Sequence, residues 1–256
     1  MCGRYELHAQ PAAIALAFGL AWPPELTPRY NVAPMQMVPV VRVNAVGERE
    51  LAQVRWGLVP RWAKDPSIGA RMINARAETA AAKPSFRTAF RRHRCLLPAD
   101  AFYEWQPAAG GTRQPMRIGL RDGGLMGFAG LYERWLSPEG EPLDTCTILT
   151  TEANALLARV HDRMPVIIDP ADYAAWLDPA HADPVDLIAP CPAQRMAMWP
   201  VSTRVNSVRN DDPSLIEPVT LPDESQAPAK DAREGASEVA PPKAEAEEAP
   251  AQARLF

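Results

Sequence analysis

Apolar residues recur at every second position along much of this chain, which predicts strands more often than helices. Residues 37–43 and 51–56 read as two strands joined across 44–50, with Gly47 at the turn. Residues 73–76 look extended. Residues 95–98 lead into a strand containing Phe102-Tyr103-Glu104-Trp105. Alternation there puts Phe102 and Glu104 on one face, and Tyr103 and Trp105 on the other. Residues 116–120 and 125–131 read as a hairpin around Asp122-Gly123-Gly124, and 146–150 and 195–201 as later strands. Helical signals are short. Pro11 opens a helix over 11–18 that Gly19 ends, and 77–83 is helical up to Pro84. Thr151 caps a helix over 152–160, and Asp169-Pro170 and Asp183-Pro184 open two more, to 177 and 189. Segments 28–34 and 56–62 read as irregular, the second with two tryptophans. The fold class expected is α+β: a curved, mostly antiparallel, barrel-like sheet with short flanking helices.

Composition divides the chain in two. Residues 1–221 carry 23 acidic and 23 basic side chains, whereas 222–256 carry eight and four, which accounts for the net charge of −4. The later segment holds ten alanines and five prolines among 35 residues, too little apolar surface to order itself. One domain over 1–221 and a disordered tail over 222–256 are therefore expected. No apolar run approaches a membrane span, and no basic-then-apolar leader opens the chain. Cys2, Cys95, Cys146 and Cys191 lie far apart without a Cys-x-x-Cys pair. That pattern argues against a disulfide framework or a zinc site, so no metal or cofactor is expected, and a reducing cytoplasm fits.

The candidate chemistry begins at Cys2. Loss of Met1 would leave an α-amine and a thiol on adjacent carbons, a 1,2-aminothiol that converts aldehydes to thiazolidines. An α-amine near pKa 7.8 is about 14% neutral at pH 7, against about 0.04% for a lysine. A buried cysteine beside the start residue is the plainer reading. Glu104 on an inward strand face would lose solvation and suit proton transfer; facing water it would do neither. Asn74 and Arg76 share a face if extended, an amide to orient an amine and a guanidinium to hold phosphate, or they form a polar turn. His161 lies beside Asp162 and Arg163, placed to pass protons or to serve structure. Lys83, Arg87, Arg91, Arg92, His93 and Arg94 form a basic stretch suited to phosphate, or to a solvated face, and Trp62 could stack on a base.

Together these residues resemble the SOS response-associated peptidase family (SRAP domain), which includes abasic-site shielding proteins. The matching motifs run in the family's order: Met1-Cys2-Gly3-Arg4, Pro28-Arg29-Tyr30-Asn31-Val32-Ala33-Pro34, Trp56-Gly57-Leu58-Val59-Pro60-Arg61-Trp62 and Asn74-Ala75-Arg76-Ala77-Glu78-Thr79. Phe102-Tyr103-Glu104-Trp105, His161-Asp162-Arg163-Met164-Pro165 and Val205-Asn206-Ser207-Val208-Arg209-Asn210-Asp211 complete the set. Ala101 and Ser207 depart from the expected glycine and asparagine. The resemblance implies that Cys2, freed by self-processing, crosslinks to the aldehyde of an abasic site in single-stranded DNA. Asn74 would hold its amine, Glu104 would shuttle protons, and His161 would assist the chemistry and its reversal. Arg4 and Arg76, with Arg91 of the basic stretch, would contact phosphate, and Trp62 the base stack. It implies peptidase and abasic-site lyase activities, a nucleoid-associated cytoplasmic setting and a monomer. Two other readings stay open: a thiol peptidase using Cys2, Glu104 and His161 on proteins, and a non-covalent single-stranded DNA-binding module.

The tail ends Gln252-Ala253-Arg254-Leu255-Phe256, which resembles the Gln-x-x-Leu-Phe peptides that dock bacterial repair proteins on the sliding clamp. Docking through Gln252, Leu255 and Phe256 and a chance ending both fit the residues.

Overall fold

The computed structural model describes residues 2–181 and 183–221. The tail, with its docking peptide, lies outside them. Strand β1 (Tyr5–Leu7) precedes helix α1 (Pro11–Phe18) and β2 (Arg29–Val32). β3 (Met37–Val43) and β4 (Arg49–Trp56) form a hairpin, and β5 (Asn74–Arg76) runs into α2 (Ala77–Ala80). α3 (Arg87–Arg92) leads to β6 (Arg94–Ala99), β7 (Ala101–Pro107), β8 (Arg113–Leu120), β9 (Met126–Leu136) and β10 (Pro142–Glu152). β11 (Arg163–Pro165), β12 (Ile167–Ile168), α4 (Tyr173–Leu177) and β13 (Met196–Pro200) complete the order.

Five strands close on themselves. β10 pairs with β4 in parallel, and β4–β3, β3–β6, β6–β9 and β9–β10 are antiparallel, so the ring has no free edge. A second, antiparallel sheet runs β13-β8-β7-β1-β2. Aromatic rings lock the two together. Tyr5 of β1 meets Trp56 of β4 edge-on at 5.5 Å and Phe128 of β9 at 6.1 Å, and Phe102 of β7 meets Phe128 at 5.9 Å. Such pairs add roughly 0.5–1.5 kcal/mol each beyond the area they bury. The α+β, barrel-like expectation holds.

Several local readings do not. The segments read as a hairpin separate: β8 joins the second sheet, β9 the barrel. Residues 28–34 contain β2, held beside β1. Thr151 does not cap a helix, because β10 runs on through it to Glu152; the helical signal shrinks to one 3-10 turn, Leu157–Arg159. The 183–189 segment likewise reduces to the 3-10 turn Pro184–Leu187, without a side-chain cap from Asp183. The basic stretch is not a uniformly solvated face. Arg94 is buried, and its guanidinium donates to the carbonyls of Trp176, Phe90, Arg91, Asp178 and His181.

Gly57 joins β4 to the tryptophan loop with φ at +129°, and a Cβ there would lie 2.7 Å from the Gly69 carbonyl oxygen. Backbone cannot yield as a side-chain tip can. Gly57→Ala is therefore expected to cost about 2–4 kcal/mol, read as a lowered midpoint in urea unfolding.

Candidate active site

The site is built where the amino-terminal segment crosses β7 and β5. Tyr5 pairs with Phe102, and the Tyr103 N–H donates to the Arg4 carbonyl at 2.9 Å. Continued antiparallel to β7, this path carries Cys2 past Glu104. The alternation read from sequence is the observed one. Phe102 packs in the main core, while Tyr103 and Trp105 belong to a separate cluster with Val201, Val205 and Leu215.

Below Cys2, a buried polar clamp fixes β1. The Glu6 carboxylate accepts from Arg117 Nε at 2.9 Å, from Arg117 Nη2 and from the Tyr103 hydroxyl. A slip of one residue would drive this carboxylate into the apolar core, so the clamp sets the register.

From the other side, β5 runs parallel to β10, with Asn74 level with Ile148. The Asn74 side-chain amide donates to the Cys2 carbonyl at 2.8 Å. The contact falls on the carbonyl rather than on the nitrogen. Asn74 Oδ1 is buried without a hydrogen-bond partner among the described residues. An amide held this way can accept from an amine released beside it.

Cys2 and Glu104 are both buried, at 0% and 4% exposure. Burial pushes the Cys2 thiol far up, and the neighbouring Glu104 charge adds to the effect. Burial also raises Glu104, while His161 draws it partly back. His161 Nδ1 accepts the Arg163 backbone N–H at 2.9 Å and sits 2.8 Å from Asp162 Oδ1. The first contact makes Nδ1 an acceptor and leaves the ring proton on Nε2.

His161 opens onto a cavity of about 720 Å³ lined by Arg76, Arg159, Arg163, Glu152 and Asp162 among others. Arg163 is anchored by both Glu78 oxygens, at 2.7 and 2.8 Å, and by the Thr150 carbonyl.

Residues 1–208 match the sequence profile of the family described as SOS response associated peptidase (SRAP). This chain belongs to the SRAP family. It is 47% identical over 223 residues to abasic site processing protein YoqW of Bacillus subtilis (strain 168), covering 85% of this chain and 99% of that one. Abasic site processing protein HMCES of Gallus gallus is 38% identical over 229 residues, 76% of this chain and 67% of its own. A crystal structure of a protein from Bacteroides thetaiotaomicron superposes with a TM-score of 0.74 at 26% identity, covering 86% of this chain and all of that one.

The SRAP fold thus gathers Cys2, Asn74, Glu104 and His161, with Arg76 exposed at the cavity beside them. Arg4, Trp62 and Arg91, the other expected DNA contacts, stand outside this cluster. Arg4 is half-buried, its Nη1 committed to Asn31 Oδ1 and the Val205 carbonyl, both at 2.7 Å. Trp62 is 59% exposed, next to Arg61, which pairs with Glu133. Arg91 lines a different cavity, with Phe90, Arg92, Pro179 and Asp183. Arg159, which lines the cavity, has no role in the sequence reading because it falls inside the helix expected over 152–160. Its one signal was proximity to His161.

Proposed function

We propose that this protein processes abasic sites in single-stranded DNA by capturing them as a thiazolidine on Cys2, once Met1 has been removed. The observation that carries this reading is the convergence of Asn74 and Glu104 on Cys2, with His161 within electrostatic reach of Glu104. The freed amine attacks the aldehyde carbon of the ring-opened sugar. Glu104, whose pKa burial raises, gives its proton to the departing oxygen, and water leaves to form the imine. The thiol then adds across the imine: a C–S bond forms, and the sulfur's proton passes to nitrogen. One water is lost and nothing is oxidised. Ring closure also consumes the imine, the intermediate from which β-elimination would cut the strand, so capture competes with lyase chemistry.

We take removal of Met1 to be hydrolysis by the same residues. A thiol peptidase acting on other proteins fits less well, since it needs an accessible thiolate and the Cys2 thiol is buried and pushed far up. A non-covalent binder would not need Cys2 and Glu104 brought together. Arg76 and Trp62, both exposed, would meet phosphate and base, and a single strand spares the cost of flipping a nucleotide from a duplex. No described helix is long and apolar enough to cross a membrane.

The test is incubation of the mature protein with single-stranded DNA carrying one abasic site, followed by a denaturing gel. A heat-stable shifted band is expected, and it should vanish when the α-amine is blocked beforehand. An undiminished band after blocking would assign the reaction to another group; no band at all would reject capture.

A further inference from the structure

The cavity beside His161 is a pocket as well as part of a DNA path. Its volume of about 720 Å³ lies inside the roughly 300–1,000 Å³ range of small-molecule sites. Arginines outnumber carboxylates in its lining: Arg76, Arg159 and Arg163 against Glu152 and Asp162. Of the three arginines, Arg163 is tied to Glu78, whereas Arg76 and Arg159 are exposed and stand outside the described ion pairs. Two guanidinium groups beside a residue coupled to Glu104, and through it to Cys2, suit a compact dianion attached to an aldehyde.

We propose that the mature protein also captures free sugar phosphates that open to an aldehyde, with Arg159 and Arg76 holding the phosphate. The proposal rests on the aminothiol reading of Cys2. The covalent step is the same: the amine adds to the aldehyde carbon, one water leaves, and the thiol closes the ring with its proton passing to nitrogen. No flanking nucleotide is required, because the recognised parts, one phosphate and one aldehyde, both belong to the small molecule. Such a compound is a second substrate, and at high concentration a competitor of DNA capture.

The experiment compares 2-deoxyribose 5-phosphate with 2-deoxyribose, using full-length mature protein and intact mass spectrometry, with abasic single-stranded DNA as a parallel arm. The phosphorylated sugar should give one adduct at Cys2, of mass equal to sugar phosphate less one water, about tenfold faster than the unphosphorylated sugar. Arg159→Gln should remove most of that preference without slowing 2-deoxyribose, and inorganic phosphate should slow only the phosphorylated sugar. Equal rates for the two sugars, or a preference untouched by both Arg159→Gln and inorganic phosphate, overturn the proposal. DNA capture without any sugar-phosphate adduct overturns it while sparing the proposed function. Failure in both arms overturns the aminothiol reading itself.

Discussion

Cys2→Ala is expected to reduce the heat-stable adduct with abasic single-stranded DNA to background. Alanine keeps an α-amine once Met1 is lost, so an imine can still form. It has no sulfur to close the ring, and an imine hydrolyses when the protein is denatured. Borohydride added before denaturation should therefore rescue a band in the alanine variant, whereas the wild-type band should not need it. Cys2 is buried, so loss of one sulfur leaves a small cavity costing about 1 kcal/mol, too little to unfold the domain. Heat-stable crosslinking by Cys2→Ala without reductant would refute the thiazolidine, as would intact mass showing Met1 on the crosslinked protein.

Glu104→Gln should slow adduct formation by roughly 10²–10⁴-fold, the usual contribution of a positioned acid–base group. Binding to a strand with a non-reactive sugar analogue should change little. The same variant should be more stable than wild type at neutral pH. Burial raises the Glu104 pKa, so its contribution to stability is complete below the ordinary carboxylate pKa. That contribution is lost as pH rises through the raised value. Gln cannot ionise, so the two proteins should melt together near pH 4 and separate as pH rises through the raised Glu104 value, at about 2–4 °C per kcal/mol. Slower capture with a lower melting temperature throughout would make Glu104 a structural residue. Unchanged capture would remove it from the chemistry.

How much of this site the sequence showed depends on the reach of the interactions that build it. The Glu104 face was legible because strand alternation is local, and the pattern from Phe102 to Trp105 has period two whatever lies around it. Gly19 and Pro11 marked α1 for the same reason. Sheet membership was not legible. Nothing within residues 113–136 says that β8 folds back on β7, the strand just before it, while β9 crosses to β6, since both partners lie outside that segment. Thr151 offered a good cap, but pairing of β10 with β11 through residues 150–152 outweighs a cap of about 1 kcal/mol. Arg94 looked like the rest of its basic stretch. Its burial follows from five carbonyls, three of them on residues more than eighty positions later. The Glu6 clamp was silent for the same reason, since Arg117 and Tyr103 lie about a hundred residues away.

That separation also has a consequence in time. β1 finds its neighbours at Arg29–Val32 and Ala101–Pro107, so it cannot be fully seated until β7 has left the ribosome. At 5–20 residues per second, that is roughly 5–20 s after Cys2 emerges. Throughout that interval the amino end lacks its β7 partner, and with the self-hydrolysing residues not yet assembled Met1 still caps Cys2, leaving a thiol without a free α-amine. A newborn chain and a finished one thus present the same cysteine in opposite settings: first capped by Met1 and missing a partner strand, later freed, enclosed and aligned.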